Sequence, residues 1–223
     1  MKCCIIIISF KKWGDAVLKV AFCSLSISEK DADSLISSIR FDESEKQRLR
    51  SIGKFSARLE SLSALSALGS IAPQEELTIL RTELGKPFFA ASSLHFSLAH
   101  ADGLGVAALS SSPVGIDIEW TDQKRNISAI SKRFFTLSEQ EQMELAEDRE
   151  LAFFSVWTKK EAFAKLTGKG LISVCSCDDI SGKQFKQYIL SHGERKAVIS
   201  VCTDANEEIL FSSIPDGMTL QTI

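Results

Sequence analysis

Asp117 and Glu119 stand two residues apart in Val114-Gly115-Ile116-Asp117-Ile118-Glu119. Side chains two apart on a strand share a face, so the carboxylates project together while Ile116 and Ile118 face the other way. Gly115 lets a neighbouring backbone or a ligand come close. Further along, Trp157-Thr158-Lys159-Lys160-Glu161-Ala162-Phe163-Ala164-Lys165 has helical spacing that puts Trp157, Glu161, Ala164 and Lys165 on one face. Glu161 can give a third oxygen ligand to an ion held by Asp117 and Glu119, and Lys165 can meet a phosphate oxygen. Mg²⁺ prefers oxygen ligands, keeps waters and is bound through few carboxylates plus substrate phosphates. Three carboxylates without a histidine fit that ion better than zinc, and the chemistry they suggest is phosphoryl transfer. Each motif also has a plainer reading. A D-x-E pair occurs on many solvated strands, and Glu161 with Lys165 is an i,i+4 surface pair worth about 0.2–0.5 kcal/mol.

Other cations and polar landmarks fit an anionic ligand. Lys46, Arg50, Lys54 and Arg58 recur every four residues along what reads as one long helix. Like charges at that spacing repel, and an anion would offset the cost, although a solvated basic face is the alternative. Lys86, in Gly85-Lys86-Pro87, and His100, closing Phe96-Ser97-Leu98-Ala99-His100, can each donate to a phosphate; His100 can equally be a structural histidine. The chain contains no G-x-x-x-x-G-K-S/T, no G-x-S-x-G and no C-x-x-C, which excludes a P-loop and argues against hydrolase-elbow or redox chemistry.

The elements that must position these residues follow from hydrophobic period. The 223 residues are 44% hydrophobic and 25% charged, an ordinary globular composition sufficient for a core and long enough for two small subdomains. A net charge of −3 argues against a nucleic-acid partner, and six cysteines without metal spacing suggest reduced thiols in the cytoplasm. The apolar run at 3–8 is far below the ~20 residues that span a bilayer, so it reads as a strand and no membrane partner is expected. Runs at 4–10 and 16–23 read as an antiparallel pair. Ser28 with Asp31 starts a short helix, and a long amphipathic helix runs from about Glu43 to a stop at Gly69. Short strands fill 77–110. After Ser112-Pro113 come a strand at 114–119, a helix ending near Arg133, a capping box at Ser138 and Glu141, a helix over 150–167, and strands at 185–190, 196–202 and 208–214. The fold class is therefore α+β, with halves at 1–112 and 113–223, each a mostly antiparallel sheet packed with helices.

In combination these blocks resemble the 4′-phosphopantetheinyl transferases, specifically the larger single-chain class whose two similar halves form a pseudo-dimer. The resemblance covers Gly85-Lys86-Pro87 through His100, the strand with Asp117 and Glu119, and the block from Trp157 to Lys165 followed by Gly168-Lys169-Gly170-Leu171. It implies transfer of the phosphopantetheine arm of coenzyme A, with Mg²⁺, to a serine of an apo acyl or peptidyl carrier protein, releasing 3′,5′-ADP. By the same resemblance Asp117, Glu119 and Glu161 are metal ligands and Lys165 contacts the pyrophosphate. Lys86, Pro87 and His100 line the nucleotide side, Lys160 faces the ligand, and Lys46 and Arg58 meet the 3′-phosphate. Glu139, following Arg133-Phe134-Phe135, matches a glutamate that helps deprotonate the serine, so Glu139, Glu161 and Lys165 form the expected catalytic set. Phe134, Phe135 and Met143 are the nearest apolar candidates for carrier docking, and a monomer is expected. Family members carry F-N-x-S-H where this chain has Ser97 and Ala99, which removes an amide and a hydroxyl from the expected ligand contacts. The competing reading is a non-catalytic homologue that binds coenzyme A or a carrier protein.

Overall fold

The structure, a computed structural model, describes residues 17–73, 78–175, 183–205 and 207–223. Its architecture is α+β and dominated by antiparallel pairing, as the sequence implied. One sheet has the order His95–Ala101 (β4), Leu104–Ser110 (β5), Val17–Ser24 (β1), Glu208–Ser212 (β9). The other has the order Met218–Thr222 (β10), Gln184–His192 (β7), Arg195–Thr203 (β8), Val114–Trp120 (β6). Ile79–Arg81 (β2) and Pro87–Phe89 (β3) form a separate hairpin. The run at 4–10, expected to pair with β1, lies outside the described residues.

Strand alternation explains the layering. Val20, Phe22 and Val106 of the first sheet share a buried cluster with Ile116, Ile118 and Ile199 of the second, so the sheets pack face to face. Their outer faces bury helices. Ala21, Ala107 and Leu109 lie under Leu62, Leu65 and Leu68 of Phe55–Ile71 (α3), and Val198 lies under Phe153, Phe154 and Trp157 of Arg149–Thr167 (α6). Each fully buried leucine or phenylalanine among them contributes about 1.5–3 kcal/mol. A glycine permits the closest approach in both layers. A Cβ on Gly105 of β5 would overlap the backbone of Ser63 and Ala64 in α3, and one on Gly115 of β6 would overlap the Ala162 carbonyl in α6. The Gly115 contact is the close backbone approach read from the sequence.

Several boundaries differ from the sequence expectation. The single long helix is two, Glu43–Ser51 (α2) and α3, broken at Ile52, Gly53 and Lys54. Gly53 gives no side-chain packing to hold a helix together, and Arg58 Nε donates to the Ile52 carbonyl that the break frees, at 3.2 Å. The helix also runs past Gly69 to Ile71, because Arg40 donates to the Gly69 and Pro73 carbonyls at 2.7 and 3.1 Å. Lys46 and Arg50 therefore sit on one helix and Arg58 on another, and they do not form a continuous stripe. The first short helix, Glu29–Ser38 (α1), starts at Ser28 as expected.

In the second segment Ile127–Phe134 (α4) leads to Leu137–Leu145 (α5), α6 and Leu171–Cys175 (α7). The capping box of α5 is Thr136 with Glu139, not Ser138 with Glu141. Both pairs have the right spacing, but Phe135, buried just before Thr136, anchors the helix start two residues earlier. The strand expected within 208–214 belongs to the first sheet, where β9 runs parallel to β1. It crosses the division expected at 112/113, and the hydroxyls of Ser110 and Ser112 fasten that crossing point to the Glu207 carboxylate at 2.7 and 3.0 Å.

Candidate metal and phosphate site

The inter-sheet packing of Ile116 and Ile118 turns Asp117 and Glu119 the other way, toward α6. Asp117 is only 6% exposed. Its Oδ1 accepts from Lys165 Nζ at 2.8 Å, and its buried Oδ2 has no hydrogen-bond partner. Glu119 Oε1 accepts from Arg125 Nη2 at 2.6 Å and from Trp157 Nε1 at 3.3 Å. Trp157 is thus a core residue with its polar edge on the site. Helix α6 is held in register by a buried hydroxyl bridge, Thr158 Oγ1 to Ser200 Oγ at 2.7 Å, with Gln187 Nε2 donating to the same Ser200 at 2.9 Å. Ser200 is the β8 partner of Asp117, so this bridge fixes Glu161, one turn on, relative to the strand carboxylates.

The electrostatics are those of carboxylates crowded out of water. Burial pushes Asp117 up, with the Lys165 charge opposing it. Glu119 is raised by burial and by the negative charge of Asp117. Glu161 is raised to about 7, by burial first and then by Asp117, with Glu119 adding to it. His100 is lowered chiefly by burial and feels Glu60, Lys165 and Asp117. These mutual influences gather Asp117, Glu119, Glu161, Lys165 and His100 in one place.

Beside them opens a cleft of about 300 Å³, lined on one side by Lys86, Pro87 and Ser97 and on the other by Glu161, Lys165 and Gly168. Lys86 Nζ donates to the Leu166 carbonyl, and burial lowers its pKa. The sequence departure at Ser97 has a structural role: its hydroxyl accepts from Ile116 N at 3.1 Å, fastening β4 to β6. Ala99 lies in the inter-sheet cluster.

Four expected site residues lie elsewhere. Lys160 is fully buried, turned about 100° from Glu161 round the helix, with Nζ 2.9 Å from Glu139 Oε2. That same Glu139 oxygen accepts from Thr136 N at 2.7 Å as part of the capping box. Lys46 pairs with Glu43 at 2.9 Å, and Arg58 lies 3.6 Å from both Glu29 and Asp33. None of the four lines the cleft. Phe135 and Met143 are core residues packed with Phe153, and Phe134 stacks edge-on against Trp157, which removes the first two as a docking surface. The exposed apolar side chains of α5 are instead Leu137 and Leu145.

The residues fit a divalent cation. An unpartnered buried carboxylate oxygen next to two more raised carboxylates is a donor set short of one positive charge. Among the described residues, no three such side chains stand close enough to hold one ion as they are. The reason is visible: Asp117 and Glu119 are each drawn toward a cation of the protein, Lys165 and Arg125. Arg125 carried no sequence signal, since it lies in an aperiodic turn.

Fold and site together gather carboxylates and cations beside one cleft. Residues 113–210 match the model of the 4′-phosphopantetheinyl transferase superfamily. Over 102 residues the chain is 41% identical to the 4′-phosphopantetheinyl transferase psf-1 of Bacillus pumilus, covering 44% of this chain and 43% of that protein. It is 31% identical to the 4′-phosphopantetheinyl transferase gsp of Aneurinibacillus migulanus over 128 residues, 56% of this chain and 53% of the relative. Against the 4′-phosphopantetheinyl transferase Sfp of Bacillus subtilis (strain 168) the identity is 32% over 151 residues, 59% of this chain and 66% of the relative. The chain thus spans about half the length of the first two relatives. Among the described residues, no helix is long and apolar enough to cross a membrane.

Proposed function

We propose that the protein transfers the 4′-phosphopantetheine arm of coenzyme A to a serine of an apo acyl or peptidyl carrier protein, the holo-[acyl-carrier-protein] synthase type of reaction, releasing 3′,5′-ADP. The observation that carries this reading is Asp117, buried with one oxygen on Lys165 and the other unpaired, facing Glu119 and a Glu161 raised to about 7. Asp117, Glu119 and Glu161 would hold Mg²⁺, which when bound supplies charge neutralisation and a template for the pyrophosphate. Lys165 would leave Asp117 to meet a pyrophosphate oxygen and Lys86 would bind the nucleotide side of the cleft, while His100, outside the cleft lining and 3.4 Å from Glu60, would reach the nucleotide only by giving up that carboxylate. The serine oxygen bonds to phosphorus as the bond from phosphorus to the 3′,5′-ADP oxygen breaks, so charge builds on the leaving phosphate, where a preorganised lysine is most useful.

The serine proton needs an acceptor. Glu139 uses Oε2 for Thr136 N and Lys160, which orients the carboxylate and leaves Oε1 without a hydrogen bond among the described residues. By the resemblance that oxygen is the proposed proton acceptor, reached by the serine of a carrier docked outside the cleft lining, and Lys160 acts by holding the carboxylate rather than by touching coenzyme A. Lys46 and Arg58 would reach a 3′-phosphate only by giving up their present carboxylates. The intact set Asp117, Glu119, Glu161 and Lys165 favours catalysis over a purely binding homologue. The test is label transfer from a fluorescent coenzyme A to an apo carrier. Transfer should need Mg²⁺ and vanish in Glu161→Gln; undiminished transfer by that variant in EDTA would overturn the assignment.

A further inference from the structure

Both strand carboxylates of the site are held by the protein's own cations. Lys165 belongs to the proposed machinery; Arg125 has no role in it so far. Arg125 Nη2 donates to Glu119 Oε1 at 2.6 Å and to Gln123 Oε1 at 3.1 Å, and its Nε reaches the same Gln123 oxygen at 3.4 Å. Its guanidinium carbon stands 5.8 Å from the centre of the Trp157 ring, whose N–H donates to the same Glu119 oxygen. The cation is therefore braced from below by an aromatic face and from the side by an amide, with Glu119 as its only ion-pair partner among the described residues. A cation that competes for Glu119 Oε1 displaces this clamp.

Resting on the metal-site reading above, we propose that Arg125 is a positioning residue that holds Glu119 in reserve as an internal counter-cation, which a divalent ion must displace. Glu119 Oε1 already accepts two donors, and a bound ion would place a second charge against the guanidinium. The clamped and metal-bound arrangements of Glu119 are thus alternatives. The apparent metal affinity is then the intrinsic affinity reduced by the fraction of molecules in which Glu119 is free. A pyrophosphate entering the cleft offers the displaced guanidinium another anion. Metal and pyrophosphate therefore load together more readily than metal alone, and by linkage each tightens the other equally.

The test uses the full chain and Mn²⁺ alone, titrated by calorimetry and by the loss of the free-ion spin-resonance signal. Arg125→Ala should bind Mn²⁺ about tenfold more tightly than the unaltered protein, equivalent to about 1.4 kcal/mol. Arg125→Gln, closer in shape, is the second variant should the alanine protein fail to fold, and it should tighten likewise. Damage to a merely structural residue moves affinity the other way. Lys124→Ala removes the same charge from an exposed neighbour that has no carboxylate partner among the described residues, and should leave affinity within about twofold by the weak coupling of exposed charges. Inorganic pyrophosphate should enhance Mn²⁺ binding more in the unaltered protein than in Arg125→Ala. Unchanged or weaker Mn²⁺ binding in both Arg125 variants overturns the proposal, as does equal tightening by Lys124→Ala. If no variant and no unaltered protein binds Mn²⁺, the metal site itself is refuted and this inference with it.

Discussion

Replacing Lys165 with alanine should have opposite consequences with and without metal. The ammonium is the charged partner of Asp117, donating to Oδ1 at 2.8 Å in a pocket where that residue is 6% exposed, and among the described residues the buried Oδ2 has no hydrogen-bond partner. Removing one member of a fully buried pair costs about 3–5 kcal/mol because the survivor is left charged and dry. Lys165 is itself 31% exposed, so water can partly replace it, and the cost expected falls to about 1.5–3 kcal/mol, the range for a hydrogen bond to a charged group. Urea unfolding in EDTA at neutral pH reads this directly as a lower midpoint with unchanged slope. Saturating Mg²⁺ gives Asp117 a new counter-charge and should recover most of the loss, while transfer stays down by about 10²–10³-fold, as for one preorganised charge-stabilising group. An equal stability loss with and without Mg²⁺ would show that Lys165 supports the fold and not a metal-bearing site. Normal turnover would refute its pyrophosphate role.

Other outcomes follow from the same contacts. Glu161 is raised from 4.5 to about 7 in the folded protein, so the folded state binds the extra proton and metal-free stability should fall as pH rises through that window; Glu161→Gln should abolish that slope and be the more stable protein at pH 8, by at most about 3 kcal/mol, read by urea unfolding in EDTA. Gly115→Ala should displace α6 through the Ala162 carbonyl, costing about 1–3 kcal/mol in unfolding experiments and weakening Mn²⁺ binding together with stability. Replacing Lys46 and Arg58 together should raise KM for coenzyme A more than for its 3′-dephospho form; equal effects would show that these cations serve only Glu43, Glu29 and Asp33.

The parts of this molecule that the sequence revealed are those governed by local period. Alternation around Asp117 and Glu119 placed both carboxylates opposite the inter-sheet isoleucines, and helical spacing brought Glu161 and Lys165 to the same cleft. Ser28 and the 3.6-residue pattern likewise located α1. What was not legible depends on long-range partners. The break at Gly53 was hidden because Leu49, Ile52, Phe55 and Leu59 keep helical spacing across it, and the Arg58 bond to the Ile52 carbonyl that accompanies the break cannot be read from spacing. The parallel pairing of β9 with β1 joins residues far apart in the chain and has no local signature. Lys160 illustrates the same limit within one motif. Its neighbour Glu161 faces the cleft, yet Lys160 turns to Glu139 on α5, a contact that exists only once Phe135 and Thr136 have set the start of that helix.

Group transfer is tested most directly by intact-mass measurement of apo carrier proteins after incubation with the protein, coenzyme A and Mg²⁺. At least one carrier should gain a single phosphopantetheine, with 3′,5′-ADP released in equal amount, and neither should appear when the carrier serine is alanine or when EDTA replaces Mg²⁺. No mass gain on any acyl or peptidyl carrier, from protein shown in the same samples to bind both Mn²⁺ and coenzyme A, would contradict it.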